Sequence, residues 1–176
     1  MEINEKNYNF NELAFNNKNS INNIIYCPFC GVSEIYLSQE DEIITVESNL
    51  LKENTLKILD HAVKLELFNG DFYNTAAKTA KSQDVKKTFE ALAKIEIVHS
   101  KIHQRLGGFT KAPNLKKVSY DKYNSDNDLL ELAKQKEEHA VFFYEKYKHE
   151  VDNANLFKIF EALVDVEKEH IILVEK

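Results

Sequence analysis

The chain is poor in the residues that break or staple a fold. Its 176 residues include only two cysteines, two prolines and four glycines. Cys27 and Cys30 are too few and too close together for a secreted disulfide framework, so their Cys-x-x-Cys spacing reads as a metal knuckle or a redox pair in a reducing compartment. No apolar run approaches the ~20 residues needed to cross a bilayer, and the opening MEINEKNYNF lacks the basic and apolar stretches of a secretory leader. A soluble, cytoplasmic protein without a membrane partner is expected. A basic stripe is missing as well: the formal charge of −6 comes from interleaved acids and bases, which disfavours nucleic acid as a partner.

With 43% apolar and 30% charged residues, the chain can build one domain with a real core plus a short extra segment. Three regions are expected. Residues 1–24 are asparagine-rich and lack periodic apolar positions, so they should form no packed structure on their own. Residues 25–50 surround the two cysteines, and the stretch from Ile24 to Val46 mixes β-branched and aromatic residues with Pro28 and Gly31, which suggests a small strand-and-turn unit. From about Thr55 the remaining glycines and proline are Gly70, Gly107, Gly108 and Pro113, and all but the first fall in one short stretch that divides two helical halves.

The two halves repeat. Shifted by 71 residues without a gap, Ala62, Glu66, Phe72, Tyr73, Lys87, Phe89, Glu90, Ala91, Leu92, Glu96 and His99 fall on Ala133, Glu137, Phe143, Tyr144, Lys158, Phe160, Glu161, Ala162, Leu163, Glu167 and His170. Each half reads as two helices of period 3.6, roughly 55–81 and 84–106, then 126–151 and 154–175. The links near Ser82 and Asn153 are short and offer N-cap residues, whereas 107–125 is long enough to run the length of a bundle. Two antiparallel helix pairs joined by one long crossover make an all-α, ferritin-like four-helix bundle over residues 55–176.

Charge interrupts the inward stripe of every helix at the same height. The first stripe is Leu59, Val63, Glu66, Gly70, Tyr73, Ala77, and the third is Leu130, Ala133, Glu137, Val141, Tyr144. Phe89, Leu92, Glu96, His99 and His103 share a face of the second helix, as Phe160, Leu163, Glu167, His170 and Val174 do on the fourth. A buried carboxylate costs several kcal/mol unless it is paired or binds a metal, and four together repel one another. Two divalent cations answer both problems: four carboxylates neutralise four positive charges, and two imidazoles add nitrogen donors without adding charge. One Glu-x-x-His on a helix is commonplace on a solvated surface. Two in register, each preceded at a fixed distance by a glutamate on an apolar stripe, point to a di-metal centre of Glu66, Glu96, His99, Glu137, Glu167 and His170. Iron and manganese suit this set equally. Tyr73 and Tyr144 read as core aromatics whose hydroxyls reach ligand carboxylates. His103 follows His99 by four and reads as a helix-end histidine, with a third histidine near the site as the alternative, and His61, His139 and His149 read as exposed or partly buried.

These residues resemble the rubrerythrin branch of the ferritin-like superfamily. KLELFNGDFY and QKEEHAVFFY correspond to its glutamate-bearing helices, AKIEIVHS and VDVEKEHI to its Glu-x-x-His helices. The resemblance implies a di-iron site in which Glu96 and Glu167 bridge the irons, Glu66 and Glu137 bind terminally, and His99 and His170 each cap one iron. It further implies an oxidoreductase of oxidative-stress defence that reduces hydrogen peroxide, or dioxygen, while cycling between diferrous and diferric states. A non-catalytic iron-binding or ferroxidase role is the alternative. The electron donor expected from the family is external and of rubredoxin type. Two departures stand out. The further glutamate that full-length rubrerythrins carry three residues after the third-helix ligand is Ala140 here, and YCPFCGVSEIYL is similar to only the second knuckle of a rubredoxin-like domain. One chain therefore cannot supply four thiolates. Either a homodimer pools Cys27 and Cys30 around zinc or iron, or other ligands complete the site, or the knuckle is a relic.

Overall fold

The computed structural model describes residues 2–37 and 45–176. Four helices dominate it: α1 (Glu53–Thr79), α2 (Gln83–Leu106), α3 (Asp126–Tyr147) and α4 (Ala154–Val174). They form the ferritin-like bundle expected from the repeat. The α1–α2 and α3–α4 hairpins pack side by side, with the long 107–125 link between them. Among the described residues no helix is long and apolar enough to cross a membrane.

Local chemistry sets the helix starts. Ser82 caps α2 by accepting from the Asp84 amide, and Asn153 caps α4 by accepting from the amides of Asn155 and Leu156. Ser125 and Asp128 form a reciprocal capping box at α3. The first helix lacks a cap of its own, and the other hairpin supplies one. Asp152, in the α3–α4 turn, accepts from the Lys52 amide at 3.0 Å and from the Thr55 hydroxyl at 2.5 Å. At the opposite end Asp126 accepts from the amides of Lys81 and Ser82 at 2.7 and 2.8 Å. Under the 71-residue repeat Thr55 corresponds to Asp126 and Lys81 to Asp152, so the two hairpins are locked by one exchange made twice, with the acid on opposite partners.

Two apolar clusters fill the bundle, one at each end. Phe72, Tyr73, Phe89, Leu92, Ile95 and Leu129 belong to the first, while Leu59, Tyr144, Leu156, Phe160 and Leu163 belong to the second. The third helix is rotated slightly from the expected stripe: Leu129 and Ala140 are 1% and 0% exposed, whereas Leu130 and Val141 are half-buried. Gly70 keeps its place for a packing reason, since a Cβ there would lie 3.1 Å from Ile97 Cδ1 and 3.4 Å from Glu96 Cβ. That absence lets α1 close on α2 where Glu96 projects.

The region before the bundle adds one contact to what was expected and departs from it around the cysteines. Residues 2–24 form little regular structure yet dock on the bundle, through Asn11 Nδ2 donating to the Ala91 carbonyl and Asn16 Nδ2 to that of Glu169. Their asparagines satisfy helix carbonyls where periodic apolar residues are lacking, and Ala14 and Phe15 add the buried contact. Among the described residues no strand forms around the cysteines. A bridge between Tyr26 and Ser33 closes a tight turn instead, with Gly31 at a φ of +79° that favours glycine. Positions 38–44 of the expected strand-and-turn unit lie outside the described residues.

Asp126→Ala removes two bonds that no other side chain supplies, and we expect it to cost about 1 kcal/mol in a denaturant melt. Because Asp152 stands at the other end of the bundle, Asp126→Ala/Asp152→Ala should show the sum of the two single effects.

Candidate metal centre

Between the two apolar clusters, the four inward glutamates meet. Glu66 on α1, Glu96 on α2, Glu137 on α3 and Glu167 on α4 are all fully buried, as are His99 and His170. The ligand-capable atoms of Glu66, Glu96, His99 and Glu167 lie within 4.8 Å of one another, and so do those of Glu96, Glu137, Glu167 and His170. Glu96 and Glu167 belong to both groups. One turn of helix separates each of them from the histidine three residues on, which aims both side chains of a pair at the same point.

The hydrogen bonds orient these groups inward. The Nε2–H of His99 donates to the backbone carbonyl of Cys30 at 2.7 Å, leaving the Nδ1 lone pair facing Glu167, Glu66 and Glu96. His170 Nδ1 lies 3.1 Å from Glu167 and 3.3 Å from Glu96. Tyr73 donates to Glu137 and Tyr144 to Glu66, each hydroxyl crossing from one hairpin to the other. His103 lies in the last turn of α2 and is fully buried, and its Nε2–H donates to the Tyr144 oxygen at 2.8 Å, extending a chain from His103 through Tyr144 to Glu66. Its counterpart in the repeat is Val174, so the other half has only Tyr73 and Glu137. His61, His139 and His149 are exposed and take no part.

Protonation follows from burial and crowding. Burial, then the charge on Glu167, holds Glu96 well above the carboxylate range, and the same two causes raise Glu66 and push Glu137 up to about 8. Burial opposes ionisation of Glu167 as well, but His170 and His99 overcome it and hold this carboxyl low. Burial alone would lower His170 and His99, yet the facing carboxylates raise both, with Glu167 the largest raising influence on each. His103 is pushed down to about 3 by burial and by His99, which keeps it a neutral hydrogen-bond donor. Burial keeps the hydroxyls of Tyr73 and Tyr144 protonated.

The residues fit a pair of metal ions. Both oxygens of Glu96, one each of Glu66, Glu137 and Glu167, and the Nδ1 of His99 are buried without a hydrogen-bond partner among the described residues, and the residues that carry them make up the two overlapping groups. Desolvated acceptors clustered in an apolar core are costly unless cations complete them.

One contact is invisible in the sequence, and one residue carried only a weaker signal there. The Cys30 carbonyl had no sequence signal, because backbone atoms carry none. His103 shared the inner face with Glu96 and His99, and that register was its signal. Cys27 and Cys30 stand beside this site but not in it. Cys27 is lowered to about 6, first by a hydrogen bond from the Cys30 thiol, against burial and with help from the amides of Cys30 and Phe29, whereas Cys30 is raised.

Stability of the metal-free protein should therefore fall as pH rises. Glu66, Glu96 and Glu137 have folded pKa values above the ordinary 4.5, so their contribution is present below that value and is lost through the window up to about 8. His99 and His170, also raised, change stability in the same direction, while Glu167, held low, contributes above its unfolded pKa and opposes only under acid conditions. Replacing Glu96 with Gln should flatten this slope, leave the metal-free bundle as stable or more so, and abolish tight metal binding; urea melts from pH 4 to 8 with metal analysis check all three.

A family model described as Rubrerythrin matches residues 57–176. Comparison with curated proteins and with solved structures gives no match. The matched residues hold both halves of the repeat and all six converging side chains, and on that evidence the chain belongs to the rubrerythrin family.

Proposed function

We propose that this protein is a di-iron peroxidase of oxidative-stress defence, which takes electrons from an external donor and reduces hydrogen peroxide to water. The observation that carries this reading is the overlap of two four-residue groups through Glu96 and Glu167 in a dry interior. Glu66 and His99 would hold one iron, Glu137 and His170 the other, with Glu96 and Glu167 between them. When bound, two irons supply two one-electron redox steps at one place, which matches the two-electron cleavage of a peroxide bond.

The chain's own groups prepare the site for that reaction. Four carboxylates balance the charge of two divalent ions, and the hydroxyls of Tyr73 and Tyr144 pin Glu137 and Glu66. Reduction of peroxide consumes two protons. Tyr144 Oη holds a proton at Glu66, and the neutral His103 orients that hydroxyl from behind through its Nε2–H, whereas Tyr73 at Glu137 has no such support among the described residues. Apolar residues close both ends of the bundle, and a cavity of about 380 Å³ reaches His99 between Cys30, Ile102 and Leu163. It is large for peroxide, and its mostly apolar wall suits a small uncharged oxidant.

Protein loaded with ferrous iron under anaerobic conditions should contain about two ions per bundle. In stopped flow its oxidation should be faster with hydrogen peroxide than with dioxygen. Equal or faster reaction with dioxygen would move the reading to an iron-handling ferroxidase.

A further inference from the structure

We propose that Cys27 and Cys30 act as a dithiol that supplies the two reducing equivalents for peroxide reduction at the carboxylate–histidine cluster, closing to a disulfide in doing so. The inference rests on the peroxide-reducing reading above and adds the place where electrons enter.

Three observations carry it. The first is the contact between the Cys30 carbonyl and His99 Nε2 at 2.7 Å, in which His99 turns its other nitrogen to the carboxylates. From the Cys30 sulfur to the Nδ1 of His99, which belongs to the cluster, the path is covalent except for one hydrogen bond. The second is the shape of the turn. The Cys27 amide donates to the Val32 carbonyl at 2.7 Å and the Gly31 amide to the Cys27 carbonyl at 2.9 Å, which closes the turn that carries both thiols. The turn is seated firmly: a Cβ on Gly31 would lie 3.2 Å from Val166 Cγ1 and 3.6 Å from Ile95 Cδ1, side chains adjacent to Glu167 and Glu96. Third, the two sulfurs lack the further ligands of a closed metal site among the described residues. No His, Asp or Glu of those residues groups with them, and Cys27 is 9% exposed. Two thiolates are half of a closed tetrahedral site.

The step balances. Both S–H bonds and the peroxide O–O bond break, one S–S bond and two O–H bonds form, and two thiols with one hydrogen peroxide become one disulfide and two waters. The sulfurs are oxidised and the peroxide oxygens reduced. Cys30 and His99 border the same cavity, so an external dithiol can reach the disulfide and restore the pair by thiol–disulfide exchange.

The test uses the whole chain, reduced, loaded with ferrous iron, freed of small thiols and assayed for metal before one equivalent of hydrogen peroxide is added. Iron-loaded protein should lose both free thiols and the mass of two hydrogens, while metal-free protein keeps its thiols over the same interval. Cys27→Ser/Cys30→Ser should hold as much iron as the wild type, because His99 meets a backbone carbonyl that the substitution retains, and its iron should stay oxidised after one turnover. Iron-loaded wild type that consumes peroxide with both thiols intact overturns the relay alone. Thiol loss at the same rate without iron, or less metal in the variant, also overturns it, the first in favour of direct thiol chemistry and the second in favour of a metal–thiolate centre. Protein that takes up no iron overturns the site reading and the relay together, and the metal assay separates that case from the others.

Discussion

Four carboxylates sit at the centre of an apolar core, within a few ångströms of one another, and most of the bundle can be understood as the means of keeping them there. Left ionised and uncompensated they would cost several kcal/mol each and repel one another. The two apolar clusters bracket them, so the burial that holds the helices together lies on both sides of the charge rather than through it. Tyrosines cross between hairpins to the outer pair, Glu66 and Glu137, while the inner pair, Glu96 and Glu167, keep oxygens free for cations. The arrangement is poorly suited to stability without metal and well suited to holding two ions.

The internal repeat makes the site nearly symmetric, and the breaks in that symmetry all favour one half. His103 backs Tyr144 where Val174 stands on the other side. The Cys30 carbonyl fixes His99, while the Nε2 of His170 has no hydrogen-bond partner. The cavity opens beside His99. His103, the cavity mouth and the thiols thus gather around the Glu66 and His99 group, so the two halves of common pattern differ in what surrounds them.

The bundle and the six converging residues were legible in the sequence because their signal is periodic: a charged residue on an apolar stripe, at one height, in four helices. The rotation of α3 toward Leu129 and Ala140 was not, since adjacent leucines at 129 and 130 serve either phase and only contact with the other helices chooses. Docking of the asparagine-rich segment was hidden for a different reason. Asn11 and Asn16 bind helix carbonyls at Ala91 and Glu169, and hydrogen bonds to backbone leave no pattern in the residues they join. The contact of Cys30 with His99 is of the same kind. The Cys-x-x-Cys spacing marked chemistry, yet a metal knuckle and a dithiol share that spacing, and the difference lies in what surrounds the sulfurs.

The central claim is that Glu96 and Glu167 are shared by two metal ions. Anomalous diffraction at the iron edge from crystals of iron-loaded protein tests it most directly. The account predicts two peaks in the bundle interior, one against Glu66 and His99 and one against Glu137 and His170, with Glu96 and Glu167 contacting both. A single peak, or peaks that leave Glu96 and Glu167 uncoordinated, would contradict it.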